Sequence, residues 1–404
     1  MITYLGLSHL SLCYSAAALN KGYKVTIIDF KKNVDDYKLG KFKVYEPQLN
    51  EILKKNKKNF LISDNFENFK NTKIIFLAKD LKTNKENKVD TYEIVQLLKK
   101  VSKLNKNKIL VIKSQIPVGF TRKINWKTSL KFHYVETLVF GQAINKAVYP
   151  ERIILGKHDT NIKIPKFLSI YLKKFNCPIL EMKYEESELT KGFINTYLAA
   201  QVITTNYLNE FSKKYDADWS KVREALALDK RIGKFAYLTP GLGLSGGNIE
   251  RDLKTISDNR NNLKIDDRLT KLFLQYSDYF KKWPIRNINN KFRNKKIGIL
   301  GFTYKEDTLS TKNAPSRILL RYNCLIHDYQ SDQLQKLNEN KNIKFMKLEE
   351  ILKKCQVICI FHNHDFYKKI NFKKYKNIKI ILDPFKILNG NLIINNNNIQ
   401  YICL

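Results

Sequence analysis

The feature that most constrains this chain is a strand–turn–helix–strand pattern that occurs near both of its ends. Ile2–Leu5 is a short apolar run. Gly6-Leu-Ser8-His-Leu-Ser11 follows it, and an apolar helical stretch Leu12–Leu19 closes at Gly22. Lys24–Ile28 then reads as a strand ending at Asp29. Two strands joined through one helix pair in parallel, because the helix returns the chain to the edge where it began. The tight turn at Gly6, with an acid about 20 residues on, is the arrangement that holds a dinucleotide and its ribose hydroxyl. The fingerprint is degenerate: Ser8 and Ser11 stand in its second and third glycine positions. A dinucleotide site and a Rossmann-like unit without a cofactor are both compatible with it. At Lys295 a similar unit starts. Lys296–Leu300 predicts a strand, Gly301–Lys305 a turn, Pro315 the opening of a helix, and Cys324–His327 a strand leading to Asp328.

Between these ends, Lys73–Ala78, Ile109–Lys113, Phe132–Val135 and Ile153–Gly156 read as strands, and Asp90–Ser102 as a helix with Asp90 as its N-cap. The alternation predicts a mostly parallel sheet with helices on both faces. From Glu185 to Lys214 the period becomes helical, through Leu189, Phe193, Tyr197, Val202, Leu208 and Phe211. A helix that long is a spine between domains or the core of a dimer. Lys191 and Asn195 lie four apart and so share one of its faces. Trp219–Leu228 and Ile265–Lys281 predict further helices, Val357–Phe361 and Ile378–Leu382 further strands, and Asn389–Asn398 a loop. The expected architecture is α/β: two Rossmann-like doubly wound domains joined by a long central helix and a helical dimerisation region. The expected boundaries are 1–184, 185–290 and 291–404.

One stretch stands apart. Thr239–Asp252 carries Gly241, Gly243, Gly246 and Gly247, in a chain with only 15 glycines among 404 residues. It ends in the polar residues Asn248, Arg251 and Asp252. Glycine permits positive φ and close backbone approach to a ligand, which favours a binding loop over a plain surface turn.

Charge narrows the partners. The formal net charge is +35, but the lysines are spread along the chain with no nucleic-acid-binding signature, so nucleic acid is not expected. A positive field attracts small anions such as nucleotide diphosphates. The six cysteines form no disulfide framework. Neither Cys355 and Cys359 nor His362 and His364 have partners at metal-ligand spacing, so no metal is expected. No apolar run approaches the roughly 20 residues of a membrane helix. Met1 leads directly into a strand, with no basic segment or cleavage site. The expectation is a cytoplasmic protein with no membrane partner.

Taken in order, these residues resemble the UDP-glucose/GDP-mannose dehydrogenase family of NAD-dependent nucleotide-sugar dehydrogenases. The resemblance rests on Tyr4–Ser11 with Asp29, Tyr45-Glu46-Pro47, Val111–Gly119, Ala143 through Tyr149-Pro-Glu-Arg152 to Gly156, Glu188–Ala199, Asp229–Asp252 and Gly301–Pro315. It implies an NAD domain, a central helical dimerisation domain and a nucleotide-sugar domain. It also implies a homodimer and four-electron oxidation of a sugar C6 alcohol to a carboxylate. Carried over, it assigns Lys191 and Asn195 to polarising the sugar oxygen and binding water, Asp252 to proton transfer, and Glu136 to the site. Arg231 would reach the sugar across a dimer, and Lys305 would lie near the nucleotide. Gly243 and Gly246 would line the substrate loop. Gly6, Ser8, Leu10, Asp29, Ser114 and Gln115 would meet NAD.

The departures from the family pattern cluster at chemistry. Asn248 stands where the family has its cysteine nucleophile, which closes the thioester route. Gln115 replaces a threonine, Phe140 a glutamate, Lys79-Asp80 a Pro-Thr pair, and Phe385 a nucleotide-binding arginine. The expected function is NAD-dependent hydride transfer on a nucleoside-diphosphate sugar without a cysteine thioester. The alternative is a catalytically degenerate binding or regulatory homologue. The sugar, the nucleobase and the number of hydride transfers stay open.

Overall fold

Among the described residues, thirteen short strands, most of them buried at every position, build two separate sheets. The structure is a computed structural model. It describes residues 1–42, 44–81, 89–104, 107–258, 265–288, 292, 294–337, 343–388 and 399–404. The first sheet comprises β1 (Ile2–Leu5), β2 (Val25–Ile28), β3 (Phe60–Ser63), β4 (Ile74–Leu77), β5 (Ile109–Ile112), β6 (Lys131–Tyr134), β7 (Ile153–Lys157) and β8 (Ile179–Lys183). Their spatial order is β3-β2-β1-β4-β5-β6-β7-β8, and every pair is parallel except β6 with β7. The second sheet comprises β9 (Ile297–Leu300), β10 (Cys324–His327), β11 (Val357–Ile360), β12 (Ile380–Asp383) and β13 (Gln400–Cys403). Its order is β10-β9-β11-β12-β13, parallel throughout. Central strands such as β1, β2, β4, β5, β9, β11 and β12 are buried at every residue. A parallel strand covered on both faces requires such uninterrupted apolar runs, and each buried Ile, Leu or Val contributes about 1.5–3 kcal/mol.

The helices among the described residues, in chain order, are α1 (His9–Asn20), α2 (Lys31–Lys38), α3 (Leu49–Lys55), α4 (Tyr92–Leu104), α5 (Phe120–Lys123), α6 (Ala143–Val148), α7 (Lys166–Lys173), α8 (Tyr184–Ser212), α9 (Trp219–Leu228), α10 (Asn248–Asp258) and α11 (Arg268–Lys281), followed by four short ones, Trp283–Asn287, Ser331–Leu337, Leu348–Lys354 and Asp365–Lys368. The chain divides into two units, Met1–Phe193 and Ile194–Leu404, each holding one of the sheets.

Both units repeat one local design. In the first, Gly6 (φ +92°) follows β1, its N–H bonds Ile28 O at 2.9 Å, and the next N–H, of Leu7, bonds Asp29 Oδ2 at 2.6 Å. In the second, Gly301 (φ +89°) follows β9, its N–H bonds His327 O at 2.9 Å, and Phe302 N–H bonds Asp328 Oδ2 at 2.7 Å. Both glycines sit where the strand order reverses, β1 against β4 and β9 against β11. That is where open α/β sheets bind ligands. Each is also crowded by the segment leaving the neighbouring strand. A Cβ on Gly6 would lie 2.5 Å from Lys79 Cβ, and one on Gly301 would lie 2.5 Å from His362 Cγ. Gly301→Ala combines a left-handed backbone with displacement of a buried ring. It is expected to cost about 3 kcal/mol, read as a lower urea midpoint at constant slope.

Several elements differ from the sequence reading for identifiable reasons. Pro315 opens a 3-10 helix, Pro315–Arg321, and the preceding Ala314 has no side-chain oxygen to cap an α-helix. The stretch 239–252 is not one loop, because α10 begins at Asn248. Its apolar positions Ile249, Leu253 and Ile256 have helical spacing that the glycines before them obscure. Strands β3, β8 and β13, which the sequence reading did not identify, lie at sheet edges with part-exposed residues, and only β8 is broken by a charged residue in mid-strand. Cys355 caps a short helix while Cys359 lies on β11, although their four-residue spacing alone would suit one helix. The predicted loop Asn389–Asn398 falls outside the described residues.

His133 on β6 is buried and bonds Ser187 Oγ through Nδ1 at 2.7 Å. Gly156, its cross-strand neighbour, leaves room for that hydroxyl: a Cβ there would stand 2.1 Å from Ser187 Oγ. Burial, assisted by the Lys113 cation, pushes the His133 pKa down to about 3. The unfolded chain therefore takes up a proton near pH 6.5 that the folded chain refuses. Stability from this group is complete above pH 6.5 and is lost as the pH falls toward 3. Between pH 6.5 and 5 the loss is about 2 kcal/mol. Urea unfolding at the two pH values is expected to show it in the native chain and to show less of it in His133→Gln.

Candidate active site and nucleotide-binding turns

In the first unit the turn after β1 is tied to the exit of β4. Ser8, the N-cap of α1, is buried. Its hydroxyl donates to Ala78 O at 3.2 Å and accepts the Asp80 N–H at 3.1 Å. Ser11 Oγ accepts the Ser8 N–H at 3.0 Å. Asp80 Oδ2 accepts the Leu10 N–H at 3.2 Å. Asp29 is fully buried and accepts four bonds: Leu7 N–H and Lys79 Nζ (2.7 Å) on Oδ2, Phe30 N–H (2.7 Å) and Asn33 Nδ2 (2.9 Å) on Oδ1. Lys79 also bonds Glu93 Oε1 at 2.6 Å. Ser114 Oγ accepts the Lys79 N–H at 2.8 Å, and Gln115 lies immediately beyond it at partial exposure. Glu46 is buried and fastens the start of α1 to the approach to α6, accepting from Gly141 N–H (3.0 Å) and Ala143 N–H (3.2 Å) and pairing with His9 Nε2 (2.8 Å).

Further along this unit, Lys191 on α8 approaches Glu136 at 3.5 Å, both largely buried, and Glu136 also accepts the Leu138 N–H. Glu188, one turn before Lys191, accepts the N–H groups of Gly119 (2.5 Å) and Thr121 (2.9 Å), which anchors the Pro-Val-Gly turn to the helix. Burial raises its carboxyl pKa against the pull of those donors. The sequence reading missed Lys113. It is fully buried between the rings of Tyr14 (3.4 Å) and Tyr134 (3.0 Å), and burial holds its amine well below the ordinary lysine range while Glu136 pulls it back up. Its position at the end of an apolar strand was the available signal.

In the second unit the polar residues of α8 and α10 meet. Asn195 Nδ2 donates to Asp252 Oδ2 at 2.5 Å, and Arg251 Nε bonds Asp252 Oδ1 at 3.1 Å. Asn195 and Asp252 are both buried. Asn248, the first residue of α10, precedes Asp252 by one turn and shares its face. The glycine stretch is held against α11. Gly243 (φ +76°) runs so close that a Cβ would lie 2.5 Å from Ser277 O, and Leu244 N–H bonds Ser277 Oγ at 3.0 Å. Ser277 Oγ donates to Glu250 (3.1 Å), whose Oε1 pairs with Lys281 (2.5 Å). Lys281 also reaches Asn313 Oδ1 (2.7 Å). Burial lowers the Lys281 pKa while Glu250 raises it. Gly246 faces Tyr304 and Gly247 faces Lys312, at Cβ distances of 3.1 and 2.9 Å. Gly243 therefore serves packing, whereas the later glycines bring backbone close to polar side chains. Lys305 accepts the Thr303 hydroxyl at its carbonyl (2.8 Å). Arg231 is 89% exposed and folded back on Asp229 at 2.7 Å. His362 is buried beside Thr303 Oγ1 at 3.1 Å. Among the described residues no three His, Cys, Asp or Glu side chains come together as a metal site.

Two switch-point turns, each with a positive-φ glycine and an acid on the following N–H, define a protein with two nucleotide-binding-type units. Residues 1–175 match the NAD binding domain of the UDP-glucose/GDP-mannose dehydrogenase family, 185–278 its central domain, and 298–390 its UDP binding domain. The chain belongs to this family of NAD-dependent nucleotide-sugar dehydrogenases. It is 25% identical to the UDP-glucose 6-dehydrogenase of Rickettsia prowazekii, covering 97% of this chain and 96% of that one. With the UDP-glucose 6-dehydrogenase of Campylobacter jejuni it shares 28% identity over 69% of this chain and 67% of the relative. A UDP-glucose dehydrogenase structure from Pyrobaculum islandicum superposes with a TM-score of 0.85 at 21% identity, covering 99% and 96% of the two chains, and so shares its fold. No helix among the described residues is long and apolar enough to cross a membrane.

NAD is the cofactor of the matched domain, and the turn is built for a dinucleotide. Gly6 gives the tight turn, α1 points its N-terminus into it, and Asp29 closes β2. Lys79 and Asp80 already bond to the acid and the helix end. A ribose hydroxyl reaching Asp29 has to displace one of its four donors.

Proposed function

We propose that this chain oxidises an alcohol carbon of a nucleoside-diphosphate sugar, UDP-glucose being the first candidate, and that it does so without a covalent thioester. The observation that carries the reading is the 2.5 Å bond from Asn195 to Asp252, with Asn248 one turn before Asp252 on α10. The names of the relatives support the substrate class. Gly6, Ser8, Leu10 and Asp29, with Ser114 and Gln115, would hold NAD, which supplies the hydride acceptor when bound. Lys191 is a preorganised cation for the developing sugar oxyanion. Asp252 takes the hydroxyl proton, and Asn195 orients that carboxylate by donating to it. Asn248 offers an amide, which cannot add to an aldehyde as a thiolate does. The product is then an aldehyde or ketone, or an epimer if the hydride returns. Lys305 and Gly246 would lie on the nucleotide-sugar side, with Gly243 shaping the same stretch through its packing on Ser277.

We further place the protein in the cytoplasm as a homodimer. Tyr197, Phe211, Leu228 and Phe235 are exposed apolar side chains in the second unit, a surface that suits a second copy; Arg231, paired with Asp229, would leave that partner to reach a sugar across the dimer. Light scattering measures the dimer. The activity is tested by incubating the protein with NAD and a panel of nucleotide sugars. One NADH per altered sugar is the expected yield, and neither NADH nor an altered sugar from any of them would refute the proposal.

A further inference from the structure

We propose that the dipeptide Lys79-Asp80 is an internal surrogate for the dinucleotide, so that NAD binds this chain by displacing it and Asp80 sets the affinity. The inference rests on the NAD reading above. A dinucleotide makes two polar contacts at a turn of this kind. Its pyrophosphate accepts from N–H groups at the helix N-terminus, and a ribose hydroxyl donates to the acid closing the second strand. Here both contacts are made from within. Asp80 Oδ2 accepts the Leu10 N–H, the role of the pyrophosphate, and Lys79 Nζ donates to Asp29 Oδ2, the role of the hydroxyl.

The arrangement is held from several sides. The Ser8 hydroxyl bridges Ala78 O and Asp80 N–H, drawing the exit of β4 onto the start of α1. Lys79 packs directly against Gly6 and is buried, with Glu93 as a second anchor for its ammonium. Asp80 is exposed as a residue, although burial of its carboxyl against the start of α1 raises its pKa above the usual carboxylate value, and rotation of the side chain alone carries that group out to water while the backbone stays in place. A pyrophosphate arriving at α1 meets a like charge on the Leu10 N–H, and that repulsion ends only when the Asp80 side chain leaves.

Calorimetric titration of NAD into the full chain tests this, with native protein compared to Asp80→Asn and Asp80→Ala. Removing one carboxylate from a helix N-terminus is expected to tighten NAD binding about tenfold. The same variants are expected to lower the melting temperature of the NAD-free protein and to enlarge the rise that NAD produces. Lys79→Met, which frees one lone pair of Asp29, is expected to tighten binding as well. NAD affinity that is equal or weaker in both Asp80 variants overturns the inference and leaves the NAD reading standing. Absence of NAD binding by the native chain and by every variant overturns both. Binding by the variants alone supports the inference most strongly.

Discussion

Lys191→Met is expected to lower kcat about a hundredfold to a thousandfold, with NAD binding unchanged. Lys191 projects from α8 with little exposure and has Glu136 at 3.5 Å. A cation in so dry a setting stabilises a developing oxyanion far more than it would in water, and loss of one such donor costs about two to three powers of ten. Its removal also strands the Glu136 carboxylate, so a structural loss has to be separated from a chemical one. Lys191→Met combined with Glu136→Gln removes both charges and should recover thermal stability. If it recovers turnover as well, Lys191 serves the ion pair and not the chemistry. Lys191→Arg keeps the charge but changes its reach, and is expected to restore stability with little activity.

Asn248→Cys is expected to double the NADH formed per sugar consumed, from one to two, and to change the product to a carboxylate. A thiolate at the first residue of α10 has the helix N-terminus to lower its pKa. It can add to the aldehyde and carry the second oxidation through a thioester. On the proposed reading, Asn195 and Asp252, joined at 2.5 Å, would then position the water that hydrolyses it. Product analysis by mass spectrometry decides the matter. An aldehyde still released by the variant, at a yield of one NADH, would show that more than the thiol has been lost from this site.

Much of the fold was legible because its signals are local. β1, β9, β10 and β11 announce themselves as apolar runs, and Trp219–Leu228 was read to the residue. The glycines after β1 and β9 marked the two turns, and α8 declared its length through repeated apolar spacing. Edge strand β8 is interrupted by Glu181, and β3 carries only the three apolar residues Phe60–Ile62 between polar neighbours. The helix beginning at Asn248 was hidden because glycine-rich sequence precedes it without a boundary. At the site, spacing alone placed Lys191 and Asn195 on one helix, but it could not say that Asn195 would meet Asp252, 57 residues away.

Residue order by itself therefore determined most of the elements and the two turns, since each depends on neighbours a few residues apart. Tertiary structure alone decided which groups those turns hold. Lys79 reaches Asp29 across 50 residues, and Asp80 reaches Leu10 across 70. The cause is the sheet order, which sets β4 beside β1, so the exit of one strand faces the turn of the other. No periodicity along the chain encodes that adjacency; it arises when the parallel strands pair.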